Sequence, residues 1–250
     1  MSAKVRKQSS NSGFIVALVG IVVAGGGFIW WKTQQKPEAP PLVLPTVTDS
    51  LLASKAQGYT IGSPDAKVEI IEFADFECPA CGRFATITEP DVRKNLVETG
   101  MVKYTFYDWP ILSDHQNTIP ASMAAACAND QGKFWEMHDA LFNGQYDWSG
   151  ITTDNPRKVI TTYAEQLKLD MPKWNACMDA NTHADRIKAN YALGMTKQVQ
   201  STPTFFIAGQ MYPGALAYDD IKKAVDAALA ATLPIPAAVP DVKKESGAAK

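Results

Sequence analysis

One stretch constrains the fold of this chain more than any other: Lys67 to Phe84, which reads KVEIIEFADFECPACGRF. Its first half is β-branched and apolar with no breaker, the pattern of a buried strand. Its second half places Cys78 and Cys81 three positions apart and sets Pro79 directly after the first of them. Proline is well tolerated at the first position of a helix, where its missing N–H is not needed. The spacing therefore predicts a strand that feeds a helix through the cysteine pair. Helical periodicity continues from Pro79 to about Glu98, where Gly100 supplies a stop. A second strand, Met101 to Trp109, ends at Pro110. Strand, helix, strand is a βαβ unit, and such a unit imposes a parallel pair.

At 250 residues and 46% apolar composition, the chain can bury one sizeable core. Four helical stretches fill the middle, TIPASMAAACAND, GKFWEMHDALFN, NPRKVITTYAEQLKL and THADRIKANYALGMTKQ, with no strand among them. They predict a helical insert over about 117–198. TPTFFIAGQMYPG (Thr202 to Gly214) then reads as a strand, an Ala-Gly turn and a return strand, followed by an amphipathic helix from Tyr218 to Ala231. The expected architecture is α/β, a sheet interrupted by an inserted helical domain. The net charge of −2 carries no basic face, which argues against a nucleic-acid partner.

Four cysteines and three histidines offer two chemistries. A structural zinc site needs four ligands, and Cys127, Cys177, His115, His138 and His183 show no such spacing. No metal and no cofactor is expected, and His138, among Phe134, Met137, Leu141 and Phe142, reads as a packed histidine. A redox dithiol needs one stabilised thiolate and a second thiol close by. At the helix start Cys78 faces unpaired backbone N–H groups and the positive end of the dipole, which lower a thiol's pKa. Cys81, one turn later and on the inner side, is the expected resolving thiol. Glu72, inside the apolar strand, is read as a buried carboxylate of raised pKa able to relay a proton to or from Cys81; the alternative is a surface position on the opposite face. Glu77 is read as a solvated charge at the rim and Phe76 as packing. Cys127 and Cys177 both lie in the helical insert; joined, they close a loop worth roughly 4 kcal/mol, and the alternative is two buried free thiols.

Over roughly residues 58–232 the chain resembles the DsbA-like branch of the thioredoxin superfamily. The resemblance rests on IIEFADFECPAC, the helical insert and TPTFF. It implies a thioredoxin fold, a dithiol at Cys78 and Cys81, a buried acid at Glu72, and a cis-proline loop at Thr202 and Pro203 that pairs with substrate backbone. The chain departs from the strongly oxidising members by carrying Pro79-Ala80, without a histidine, between its cysteines.

Outside that region, residues 1–13 are a basic amino-terminal segment. Phe14 to Trp31 is 18 uncharged residues, which as a helix span about 27 Å, enough to cross a bilayer. An uncleaved transmembrane anchor is expected, against the alternative of a signal peptide cut near Ala24 to Gly27. Residues 32–57 read as a Pro-rich linker, and 233–250 as a disordered tail. The combined expectation is a single-pass protein of the bacterial cytoplasmic membrane, its catalytic domain facing the periplasm or cell exterior. Its task would be to oxidise reduced or unfolded exported proteins, with a membrane redox partner to reoxidise the pair. The alternatives are an anchored reductase or isomerase and, from another class, a metal chaperone built on the C-x-x-C thiolates.

Overall fold

The computed structural model of the chain describes residues 41–232. The expected basic segment, the membrane anchor at 14–31, the first part of the linker and the tail at 233–250 lie outside the described residues. Among the described residues, no helix is long and apolar enough to cross a membrane.

A five-stranded sheet organises the domain. Its strands are β1 (Tyr59–Gly62), β2 (Val68–Ala74), β3 (Val102–Asp108), β4 (Thr204–Ile207) and β5 (Gln210–Pro213), in the order β1-β3-β2-β4-β5. The parallel pair implied by the βαβ reading is β2 with β3, running from Val68 opposite Val102 to Ala74 opposite Asp108. β4 lies antiparallel on the other side of β2 and sets Phe205 opposite Glu72. The hairpin to β5 turns at Ala208 and Gly209, both at positive φ (48° and 85°). That is the backbone twist a two-residue hairpin needs.

The helix after β2 starts at α2 (Pro79–Arg83) and runs on to Val97 through two π-helical stretches, Phe84–Thr88 and Arg93–Val97. Pro90 lies between them and has no N–H to give to a carbonyl of the preceding turn, so the helix widens around it instead of breaking. The helical insert contributes α3 (Thr118–Asn129), α4 (Phe134–Asn143), α5 (Gln145–Trp148), α6 (Arg157–Gln166), α7 (Met171–Asp179) and α8 (Ala184–Thr196). α9 (Tyr218–Thr232) closes the chain over the sheet, burying Ile221 and Val225 beside Val68, Ile70, Phe84 and Phe205.

The insert shares a core with the cysteine pair. Phe76, Cys78, Cys81 and Phe106 belong to the same buried cluster as Met123, Leu141, Trp148 and Trp174. Its two fully buried tryptophans each find a carbonyl, Trp148 that of Leu141 at 2.8 Å and Trp174 that of Ala124 at 3.3 Å. This satisfies the indole N–H that burial would otherwise leave unpaired. α8 approaches the sheet closely at Gly194, where a Cβ would stand 2.3 Å from Trp109 Cδ1.

Two elements are absent from the sequence reading. β1 is four residues long and bounded by Gly58 and Gly62, too short to show alternation. The stretch read as linker also winds into a helical turn, α1 (Ser50–Ala53), capped by Asp49, whose carboxylate accepts from Leu52 N at 2.9 Å. Residues after it are clasped by α8. Arg186 donates to the carbonyls of Gln57 and Gly58 at 2.8 and 3.0 Å, and Asn190 accepts from Gln57 N at 2.9 Å. The proline pattern of the linker masked this, because its partners lie more than a hundred residues away.

Candidate active site

The site is assembled where β2 ends. Asp75 accepts the N–H of Glu77 at 2.8 Å through its side chain and that of Cys78 at 3.0 Å through its backbone carbonyl. This tight turn makes Cys78 the N-cap of α2, in extended conformation (φ −68°, ψ 122°), with Pro79 next. The placement gives Cys78 Sγ access to the free N–H groups of the first turn. Its thiol is brought down to about 5, chiefly by the hydrogen bond from Cys81, with Thr202 and the backbone N–H groups of Cys81 and Ala80 adding to it and burial opposing. Cys78 is 7% exposed and Cys81 fully buried, and both are free thiols. Burial first, then the hydrogen bond to Cys78 and the charge of Cys78, push the Cys81 thiol well up. At neutral pH the pair is thus one thiolate and one thiol, with the thiolate on the outer sulfur.

Glu72 is buried on β2, and Tyr104 of β3 donates its hydroxyl to it at 2.5 Å. Its carboxyl is raised well above the ordinary range, first by burial and then by the charge of Glu89, while the Tyr104 hydrogen bond and Arg93 pull the other way. Glu89 is paired with Arg93, whose Nε donates to it at 2.7 Å, and Arg93 reaches Asp139 at 3.1 Å. His138 is fully buried beside this group, its Nδ1 2.8 Å from Asp139 Oδ1. The helical spacing of Glu89 and Arg93 (i, i+4) was the one trace of this cluster in the sequence.

Across from the pair, the Thr202–Pro203 peptide bond is cis. The Cys78 thiol donates to the Thr202 carbonyl at 3.5 Å, while the Thr202 hydroxyl is buried without a partner. A thiolate at Cys78 offers that hydroxyl an acceptor, in line with the lowering of the Cys78 pKa. The structure thereby brings Cys78, Cys81, Thr202 and Pro203 to one place, with Glu72 behind Cys81.

Glu77 requires a correction. It is not a solvated rim charge but a buried one, 6% exposed. Its carboxylate accepts from Asn117 N at 2.6 Å and from Gly150 N. Backbone donors from two loops of the insert replace the water it loses, so burial is compatible with its charge. Glu77 ties the active-site turn to the helical insert. His115 is the other residue that sequence reasoning passed over. Its Nδ1 lies 2.7 Å from Asp75 Oδ2, and the same oxygen accepts Ile111 N at 2.7 Å. Both contacts span about forty residues, and no local signal marks them.

Beside the pair opens a cavity of about 560 Å³ whose lining includes Pro79, Glu77, His115, Leu112, Tyr146 and Ile151. Three of these are apolar side chains at the surface: Leu112, Tyr146 and Ile151 are 43%, 74% and 83% exposed. Away from it, Cys127 on α3 and Cys177 on α7 form a disulfide across a sequence separation of 50. His183 lies close to both sulfurs, but with these bonded to each other neither is a thiolate that could hold a metal.

A family profile described as thioredoxin matches residues 54–227. The chain belongs to the thioredoxin family. The Na(+)/H(+) antiporter NhaA 3 of Salinispora tropica is 34% identical over 189 residues, which cover 74% of this chain but 27% of that protein. The chain thus spans about a quarter of the length of that relative. Disulfide bond formation protein D of Bacillus subtilis is 26% identical over 172 residues, covering 66% of this chain and 74% of the relative. Among solved structures, oxidised BdbD from B. subtilis superposes with a TM-score of 0.59 at 23% identity, over 70% of this chain and 97% of that one. Wolbachia pipientis α-DsbA1 gives 0.61 at 21% identity, over 74% and 99%. The fold of this thioredoxin-family chain is therefore the DsbA type, a thioredoxin-like sheet with a helical insertion.

Proposed function

We propose that this chain is a thiol oxidase that introduces disulfides into exported proteins through Cys78-Pro79-Ala80-Cys81. The chain is a protein thiol-disulfide oxidoreductase, and one observation carries its direction: the outer thiol is held down to about 5 while the inner one is pushed up. Stabilising the reduced form of a pair makes its disulfide a stronger oxidant. In the oxidised enzyme a substrate thiolate attacks Cys78 Sγ, forming a mixed disulfide; the Cys78–Cys81 bond breaks and its electron pair goes to Cys81 Sγ. Protonated Glu72 gives Cys81 its proton. A second substrate thiolate then attacks the substrate sulfur of the mixed disulfide and expels Cys78 as the stabilised thiolate. The substrate leaves oxidised and the enzyme holds two electrons.

Thr202 and Pro203 face the site from the other side and present backbone for an extended substrate. The cavity beside Pro79, with Leu112, Tyr146 and Ile151 exposed, suits the apolar side chains of unfolded protein. No group in the described chain accepts electrons onward, so a membrane redox partner reoxidises the pair. Residues 14–31 anchor the protein to the bacterial cytoplasmic membrane, with residues 58–232 outside it. The Cys127–Cys177 disulfide supports that side of the membrane, since disulfides persist outside the cytosol.

The absence of a histidine between the cysteines favours a weaker oxidant, and with it the second reading, a reductase or isomerase. Equilibration with glutathione separates the two. The expected potential lies above the thioredoxin value of about −270 mV and below the DsbA value of about −120 mV. A value at or below thioredoxin's overturns the oxidase and leaves the reductase.

A further inference from the structure

We propose that His115 is the counter-charge of the Cys78 thiolate, an imidazolium that Asp75 holds at the wall of the active-site cavity. It performs from a distant loop the electrostatic part for which Pro79 and Ala80 have no side chain. The inference rests on the oxidoreductase reading and adds a residue to it.

The geometry begins with Asp75, which binds both partners. Its backbone carbonyl receives Cys78 N at 3.0 Å, and its Oδ2 lies 2.7 Å from His115 Nδ1. Asp75 is fully buried at the side chain and its other carboxylate oxygen is taken by Glu77 N, so it has no freedom to turn away. His115, 15% exposed at its side chain, lines the same cavity as Pro79 and Glu77. The imidazole is therefore confined beside the start of α2 and open to solvent protons. Its pKa is raised, first by the hydrogen bond to Asp75 and further by the charges of Asp75, Cys78 and Glu77, with burial opposing. Such coupling is reciprocal: if the thiolate favours the imidazolium, the imidazolium favours the thiolate by the same free energy. It acts at longer range than the hydrogen bonds of Cys81 and Thr202, which dominate at Cys78.

The charged and titratable groups around His115 are Asp75 and Glu77 on the active-site turn, Cys78 at the helix start, Asp114 on its own loop and Tyr146 on α5. All are acids. Asp75 and Glu77 favour the imidazolium, and its charge in turn offsets theirs where the thiolate must form.

The wild-type protein supplies the first test. The imidazole of His115, followed by NMR, should titrate at higher pH in the reduced protein, which carries the thiolate, than in the oxidised one. Equal titrations overturn the proposal. The second test uses His115→Gln and His115→Lys, with the thiolate followed by its ultraviolet absorbance. His115→Gln should move the Cys78 titration up by about half a pH unit, and shift the glutathione equilibrium toward the disulfide by about threefold near pH 6. The difference from wild type should shrink at a pH above the imidazole titration followed by NMR, and His115→Lys should restore most of the wild-type behaviour. A loss of equal size at both pH values, or no loss in folded His115→Gln, overturns the proposal. A low potential with the coupling intact would instead sink the oxidase reading alone.

Discussion

Glu72 shows how one buried side chain sets both chemistry and stability. Burial raises its carboxyl well above the ordinary range, so between its unfolded and folded pKa values the folded chain holds a proton that the unfolded chain releases. The stability tied to that proton is complete below the ordinary carboxylate pKa and is lost as pH rises through the folded one. Glu72→Gln is neutral at every pH. It should match wild type at about pH 4 and be the more stable of the two at about pH 8. Urea unfolding at the two pH values checks this; equal gains at both would show that the effect is packing and not titration. The same variant should slow the step that leaves Cys81 as a thiolate, since its proton source is gone.

At the scale of elements, the insert is held by a link independent of the Cys78 and Cys81 pair. Cys127 on α3 and Cys177 on α7 close a loop with a sequence separation of 50. In the chain-entropy model a crosslink of that length is worth roughly 4 kcal/mol, and measured losses are typically 2–5 kcal/mol. Replacing both cysteines by alanine should lower stability by an amount in that range, read from chemical denaturation. A loss under about 1 kcal/mol would mean that the packed core of Trp148, Trp174 and Met137 holds the insert unaided. β2 and α2 make the complementary point. The strand places Glu72 inward, its end places Asp75 under the turn, and the helix start takes Cys78, so three side chains of the candidate site follow from one junction.

For the whole domain, the segment before the sheet is part of the fold. Leu42 and Leu44 pack on the main core, and Arg186 and Asn190 hold Gln57 and Gly58. A chain beginning at residue 41 should fold with full stability. One beginning at Tyr59 should lose about 1–3 kcal/mol, the cost of those contacts. Thermal unfolding of the two fragments decides; identical midpoints would make the segment a spacer in its full length.

Strand β2, the helix start at Pro79, the parallel partner β3, the helical insert and the β4–β5 hairpin could all be read from the sequence. Each is written in neighbouring residues, as apolar runs, helical spacing, and proline or glycine at a boundary. The place of the cysteine pair between a strand and a helix start was legible for the same reason, because the junction is local. β1 and the clasped segment were not, since a four-residue strand and a Pro-rich stretch carry too little pattern to compete with the reading as linker. Nor could sequence show that Glu77 is buried on the backbone of Asn117 and Gly150, that Glu89 charges the surroundings of Glu72, or that His115 meets Asp75. Local propensity acts over three or four residues, whereas a carboxylate's partner is whichever donor the fold brings within 3 Å. The sequence by itself determined where the cysteine pair sits and the frame that carries it; the tertiary structure alone decided which distant charges surround that pair.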